Sequence, residues 1–477
     1  MSSNPASAPP AKVPLVNIFS FGTLGLPIAG MAIIFGIYLP RHYVSLGIGF
    51  IAVAAAVGVV RIIDIFFDPL VAVVMDRTKT PIGRYRPWIL AGSPFVLFGL
   101  YRLLAPSGAV SPGYLILWLL VTYAGLSMMT LGLAAWAAVL AKGYNDRSRV
   151  YGWTQAMAVL GSVAILCLPL FTHGKIAPGL KASMPILGLI LLVAFPIGLF
   201  ICTVFTPEKI VPIAERPKFQ IADYWRALSR PSMLRLILAD LALTLGPGTT
   251  GPLYVYYFHD AKGFTIQSVS LLLIAYIGAG VLGAPFWGRV SHRFGKHRTV
   301  QIACVAYSIT QATLMAMPRV WPHYTFGQAL PTILGMFSVG FCASAFLLLV
   351  RSMIADVADE VRLEQKQDLT SLLFSMVTTT SKIGASITVL IVFPILAAVG
   401  YNGKEGVMNT PHAIFGLEMC YLFAPVILVW FGGAVLFGYK LDATRHAEIR
   451  AALESNDEAA ALESLTGPTA LTEAPAE

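Results

Sequence analysis

Twelve apolar runs, each near the roughly 20 residues that a helix needs to cross a bilayer, divide this 477-residue chain. Nothing else in the sequence constrains the fold as tightly. In hydrocarbon every backbone N–H and C=O must be satisfied within the segment, so runs of this length are expected to be helices. They fall at 15–39, 46–75, 88–104, 113–141, 151–171 and 184–205, then at 233–258, 266–287, 300–317, 326–349, 372–399 and 413–439. Charged residues make up only 12% of the chain and the mean hydropathy is +0.74, whereas a soluble domain carries roughly 25% charged residues. The expected class is an all-α polytopic membrane protein with twelve transmembrane helices in two pseudo-symmetric six-helix bundles. Residues 1–14 read as a disordered tail, 15–206 as the first bundle and 207–232 as a cytoplasmic linker containing an amphipathic helix. Residues 233–440 read as the second bundle and 441–477 as a cytoplasmic tail.

The net charge of +9 does not point to nucleic acid, because the basic residues alternate from loop to loop. With both termini inside, the cytoplasmic loops and tails hold about 23 Lys and Arg and the outer loops about 6. That asymmetry predicts cytoplasmic N and C termini in the cell (inner) membrane. The five cysteines all lie within spans and read as buried thiols, not as disulfides or metal ligands.

Ionisable groups inside the spans carry the functional signal. Asp64 and Asp68 are four residues apart, and Arg61 precedes Asp64 by three. On a helix all three share one face. Such groups within hydrocarbon are costly and mark an ion or substrate path. Two carboxylates this close need a bound cation, a proton, or an Arg or Lys. Lys382 lies deep in the eleventh span among Thr378, Thr379, Thr380 and Ser381, and the Asp64/Asp68 pair is its expected partner.

Other positions are more open. Trp136 reads as a structural aromatic or as a ring on which a sugar stacks. Thr154 lies near the inner end of the fifth span, and Thr378 stands one turn before Lys382. Asp240 precedes the breaker cluster Gly246-Pro247-Gly248, a pattern that points to a site in a discontinuous helix. Two Gly-basic loops occupy matching places in the two sets of spans. Asp76, Arg77, Gly83, Arg84 and Arg86 form the first; Arg293, Gly295 and Arg298 belong to the second, which marks an internal repeat. Asp356 and Asp359 end the tenth span and read either as gate partners for these loops or as a solvated acidic face. No phosphate-binding loop, no H-x-x-H pair and no Ser/His/Asp set is present. The chain is therefore expected not to be an enzyme and to need no cofactor, with an ion gradient or the solute's own gradient as its energy source.

The stretch R-x-x-D-x-x-x-D-P followed by D-R-x-x-x-x-x-G-R-x-R-P-W, at 61–88, is the sharpest motif in the sequence. S-M-x-A-D-x-x-D at 352–359 and Lys382 follow in order. On these residues the chain resembles the major facilitator superfamily, and within it the glycoside–pentoside–hexuronide:cation symporters, the group that contains melibiose permease. The resemblance implies that Asp64 and Asp68 ligate the coupling ion, Na⁺ or H⁺, with Lys382 beside them and Arg61 in the same charge balance. It implies a small-molecule partner, a sugar or glycoside, and a carrier that works as a monomer in the lipid bilayer. Sugar-binding members carry acidic residues where this chain has Pro27 and Gly132, and an arginine near Thr154. That loss opens an alternative, a more apolar or amphipathic solute such as a lysolipid or aromatic glycoside.

Overall fold

The computed structural model describes residues 13–208, 230–317, 326–365 and 370–455, with short breaks at 79, 107, 109, 141–143, 172–179, 405 and several positions after 439. The amphipathic helix expected in the linker lies outside the described residues. Among the described residues the architecture is entirely helical, with no strand beyond one isolated bridge between Thr80 and Gly83.

The first span, Leu15–Ser45, is not one regular helix. It is built from α1 (Leu15–Gly22), α2 (Gly25–Ile33), a π-helical turn at Ile34–Tyr38 and α3 (Leu39–Ser45). Pro27 and Pro40 each stand near the start of a segment, where a missing N–H costs least. Then follow α4 (Phe50–Arg77), α5 (Arg86–Leu104), α6 (Pro112–Leu140), α7 (Tyr144–Phe171) and α8 (Leu180–Phe205). The second set comprises α9 (Pro231–Val255) with a π-helical turn at Tyr256–Ala261, α10 (Ile266–Phe294), α11 (Lys296–Ala316), α12 (Phe326–Gln365), α13 (Thr370–Ala398) and α14 (Pro411–Val435).

Eleven of these helices are long and apolar enough to cross a membrane. The seventh, α9, has the required length, but Asp240, two prolines and its glycines and threonines dilute its hydropathy. Several helices outrun the apolar runs that announce them. The largest excess is in α12, which continues through Asp356 and Asp359 to Gln365, because a helix need not stop where hydrocarbon ends.

The packing pattern occurs twice. In the first set α2 packs on α7, α4 and α5 pack on α6, α1 packs on α8 and α5 packs on α8. Six spans later α9 packs on α13, α10 and α11 pack on α12, α9 packs on α14 and α11 packs on α14. The two halves meet along α4 with α13 and α7 with α10, contacts that the same six-span shift converts into each other. This is the repeat anticipated from the two Gly-basic loops.

Glycine allows the closest approaches. A Cβ on Gly161 of α7 would stand 2.0 Å from the Leu26 carbonyl oxygen, and one on Gly340 of α12 would stand 2.1 Å from that of Tyr276. Backbone cannot yield as a side-chain tip can, and close small-residue contacts are what hold membrane helices together. Gly161→Ala and Gly340→Ala are each expected to cost about 2–4 kcal/mol. The check is melting temperature in detergent, against a Gly152→Ala control at a position with open space.

Candidate functional site

Two helices from opposite halves build the site. α4 brings Arg61, Asp64 and Asp68 to one face, and α13 brings Lys382 across from them. The Lys382 ammonium donates to the Asp68 carboxylate. The second Asp68 oxygen, Oδ1, is buried and accepts no hydrogen bond. Asp64 is buried, 7% exposed, and accepts a 2.7 Å hydrogen bond from the Ser127 hydroxyl of α6. Its other oxygen stands 3.7 Å from Arg61. Arg61 is held elsewhere, donating to the Tyr123 hydroxyl at 2.8 Å with its guanidinium 4.0 Å from that ring's centre. Pro69 follows Asp68 within α4 and cannot donate to the Ile65 carbonyl, which leaves a backbone oxygen in the same turn. The Asp64 and Asp68 carboxylates, one oxygen of which is orphaned, and the Ser127 hydroxyl give an all-oxygen set suited to a hard cation or a proton. Among the described residues no group of three or more His, Cys, Asp or Glu could hold a metal.

Above this cluster lies a cavity of about 470 Å³. Arg61, Asp64, Ser127, Thr130, Thr388 and Lys382 supply its polar edge. Most of the remaining wall is aliphatic, drawn from α2, α4 and α6 and closed from the other half by Gly248, Gly251 and Pro252.

The end of the cavity away from the termini is sealed by groups from both halves. Arg41, 3% exposed, meets Asp260 at 2.8 Å. His259 and the Tyr401 hydroxyl bond the same carboxylate, each at 2.5 Å. Beside them Phe50, Tyr256, Phe393 and Tyr401 pack ring against ring at 5.0–6.5 Å. Burial pushes the Asp260 carboxyl up, but the hydrogen bond with His259, the Arg41 charge and the Tyr401 hydroxyl outweigh it, so its pKa falls below the ordinary 3.8. A depressed carboxylate stabilises the folded form above its ordinary pKa and loses that contribution as pH falls through the lowered value. The seal should therefore hold throughout the neutral range. Removing one partner of a buried pair costs about 3–5 kcal/mol. Asp260→Asn is expected to raise impermeant-maleimide labelling of a cysteine placed at Ile37 by more than about tenfold, and unchanged labelling would show that the pair seals nothing.

The other singled-out residues lie elsewhere. Trp136 does not line the cavity; it is fully buried, edge-on to Phe21 at 5.5 Å, under Arg86 at 5.3 Å, with its indole N–H toward the Pro207 carbonyl. Small residues around it let the ring sink into the core. Thr154 also misses the cavity, its hydroxyl donating back to the Val150 carbonyl at 2.8 Å and its backbone lying against Gly25 of α2. Asp240 is buried and accepts from Ser381 at 2.9 Å, next to Lys382 on α13. Arg235, five residues before it, is drawn away by the Phe437 and Gly438 carbonyls. The Thr378 and Asp76 side chains lie outside the described residues.

The loops read as gates brace their own halves. At Gly83 the backbone is left-handed, φ 120°, and the Glu208 carboxylate accepts from the N–H groups of Arg84, Tyr85 and Arg86 at 2.6, 2.9 and 3.2 Å. Arg86 also donates to the Thr206 carbonyl. In the second half Gly295 takes φ 82° between α10 and α11, and Lys296 binds Asp356 at 2.6 Å. His446 stands 3.4 Å from Asp356 and 3.2 Å from Asp359. Arg77, Arg293 and Arg298 are exposed. Sequence reasoning missed Glu208, Tyr123, Ser127, Arg41 and Asp260. Tyr123 and Ser127, four residues apart on one helical face, were the available signal.

A family model described as MFS/sugar transport protein matches residues 20–443, nearly the whole helical region. The chain belongs to the MFS/sugar transport family. It is a membrane transporter and not an enzyme, and it falls with the glycoside–pentoside–hexuronide:cation symporters. The isoprimeverose transporter of Lactiplantibacillus pentosus is 26% identical over 82% of this chain and 81% of its own length. The human sodium-dependent lysophosphatidylcholine symporter 1 is 23% identical over 83% of this chain and 78% of its own. The crystal structure of the nucleoside transporter NupG superposes with a TM-score of 0.63 at 15% identity, over 89% of this chain and 98% of that one. At that identity it supports the fold alone. This MFS/sugar transport family member is thus a multi-pass carrier of small solutes with the major-facilitator architecture.

Proposed function

We infer that this protein carries a sugar or glycoside by cation-coupled symport with alternating access, Na⁺ or H⁺ being the driving ion. The observation that carries this reading is the ion pair between Lys382 and Asp68, which ties α13 of one half to α4 of the other. In the empty carrier the lysine occupies the place of a cation. An arriving ion displaces the ammonium from Asp68, engages the orphaned Oδ1 and Asp64, and releases the contact between the halves. Ion and solute then help each other bind, a reciprocal coupling typically of about 1–3 kcal/mol. The basic bias of the loops supports cytoplasmic termini, so the Arg41–Asp260 end faces outward. A cavity lined by residues of both halves of one chain supports function as a monomer in the cell membrane. The aliphatic wall favours a solute with an apolar portion, an aryl or alkyl glycoside, over a bare polar sugar. Uptake of isoprimeverose and of an aryl glycoside into membrane vesicles, with imposed or collapsed Na⁺ and pH gradients, tests the reading. Accumulation above the external concentration is expected only with a gradient, and equal uptake without one would contradict it.

A further inference from the structure

α13 lies between α9 of its own half and α4 of the other, and it shows each a different face. Ser381, Gly384 and Thr388, spaced three and four apart, share the face turned to α9. Ser381 donates to the Asp240 carboxylate at 2.9 Å, Gly384 comes against Leu241 and Thr244, and Thr388 comes against Gly248. Lys382 and Leu390, eight residues apart, share the face turned to α4. There the lysine pairs with Asp68 and the leucine meets Gly58. Alternating access asks opposite things of the two faces: the contact with α4 must part, and the contact with α9 must hold.

Only one of the three contacts with α9 is directional. Those at Gly384 and Thr388 are van der Waals contacts, which tolerate a rotation of α13 about its axis. The bond from Ser381 to Asp240 does not, and a hydrogen bond to a carboxylate is roughly twice as strong as a neutral one. Asp240 is buried, 2% exposed, and does not line the cavity, so it is not there to touch solute. Its charged surroundings are few. The Arg351 charge of α12 is nearby, and Lys382 of α13 is engaged by Asp68. On α9 itself Arg235 is drawn off to the Phe437 and Gly438 carbonyls. Glu418 of α14 pairs with Lys262 at the opposite end of α9. What Asp240 acts on is Ser381, and through it the next residue, Lys382.

We propose that Asp240 is a positioning residue for cation coupling: by holding Ser381 it fixes α13 at the rotation that aims the Lys382 ammonium at Asp68. The proposal rests on the symport reading and adds to it the part that sets how strongly the lysine competes with the ion. The lysine stands well off the helix axis, so a small turn of α13 carries its ammonium away from the carboxylate. A lysine held on target must be displaced, whereas a lysine on a helix free to turn yields to less cation.

The test uses the full-length protein in detergent, titrated with Na⁺ at fixed pH, or with protons where Na⁺ has no effect. The quantity read is the cation concentration that gives half of the full rise in melting temperature. Asp240→Ala and Ser381→Ala are each expected to lower it about tenfold, whatever they do to the melting temperature itself. Asp240→Asn, whose amide oxygen still accepts from Ser381, and Ser381→Thr should stay close to the wild-type value. In a Lys382→Ala background, Asp240→Ala should shift it no further. A merely structural role would lower the melting temperature and leave this concentration unmoved, and that result would overturn the proposal. A shift in Asp240→Asn as large as in Asp240→Ala, or one that persists without Lys382, would overturn it too. Gradient-driven accumulation by the wild type keeps this failure apart from that of symport. If accumulation needs the gradient while Asp240→Ala leaves the cation requirement unmoved, only the positioning role falls; if the wild type takes up as much without a gradient, the symport reading falls.

Discussion

Lys382→Ala is expected to stop gradient-driven transport and to destabilise the protein at once. The substitution leaves Asp64 and Asp68 facing each other with only Arg61 nearby, and Arg61 is already committed to Tyr123. Losing one partner of a buried pair costs about 3–5 kcal/mol, and the lower end applies here because Lys382 keeps a third of its exposure. Raising Na⁺ or lowering pH should recover part of the lost melting temperature, since either one replaces the missing positive charge. A melting temperature equal to wild type and unaffected by Na⁺ or pH would show that the lysine does not balance the acids.

The double variant Asp68→Asn/Lys382→Gln separates folding from coupling. Removing both charges avoids an orphaned ion, and neutral pairs can replace buried ion pairs at little cost. Stability should return to within about 1 kcal/mol of wild type, while accumulation stays absent because the cation site has lost a ligand. Recovery of accumulation in this variant would mean that the pair is only structural.

Much of this site is legible in the primary structure because charge in hydrocarbon is rarely incidental. Asp64, Asp68 and Lys382 stand out for that reason alone, and pairing them needs only the cost of an unbalanced ion. The helical periodicity likewise places Arg61 on the same face. The second layer shows only as the four-residue spacing of Tyr123 and Ser127 on one face of the fourth span. Ser127 and Tyr123 are ordinary residues in an apolar helix, and their roles follow from α4 packing on α6. The outer seal is hidden for the opposite reason. Arg41 and Asp260 sit at span ends, where charges are commonplace, and only the meeting of the two halves buries them. Trp136 shows the limit of reading by residue type: an aromatic among small residues suits a sugar platform and a core plug equally, and the structure makes it the plug.

The central claim is that a cation and Lys382 compete for the same two carboxylates. It is tested most directly by transport in vesicles containing Asp68→Asn, measured once as solute exchange at equal concentrations and once as accumulation under an imposed Na⁺ or pH gradient. Exchange should continue, since the cavity is intact, while gradient-driven accumulation falls to background. Accumulation at the wild-type level would contradict the account.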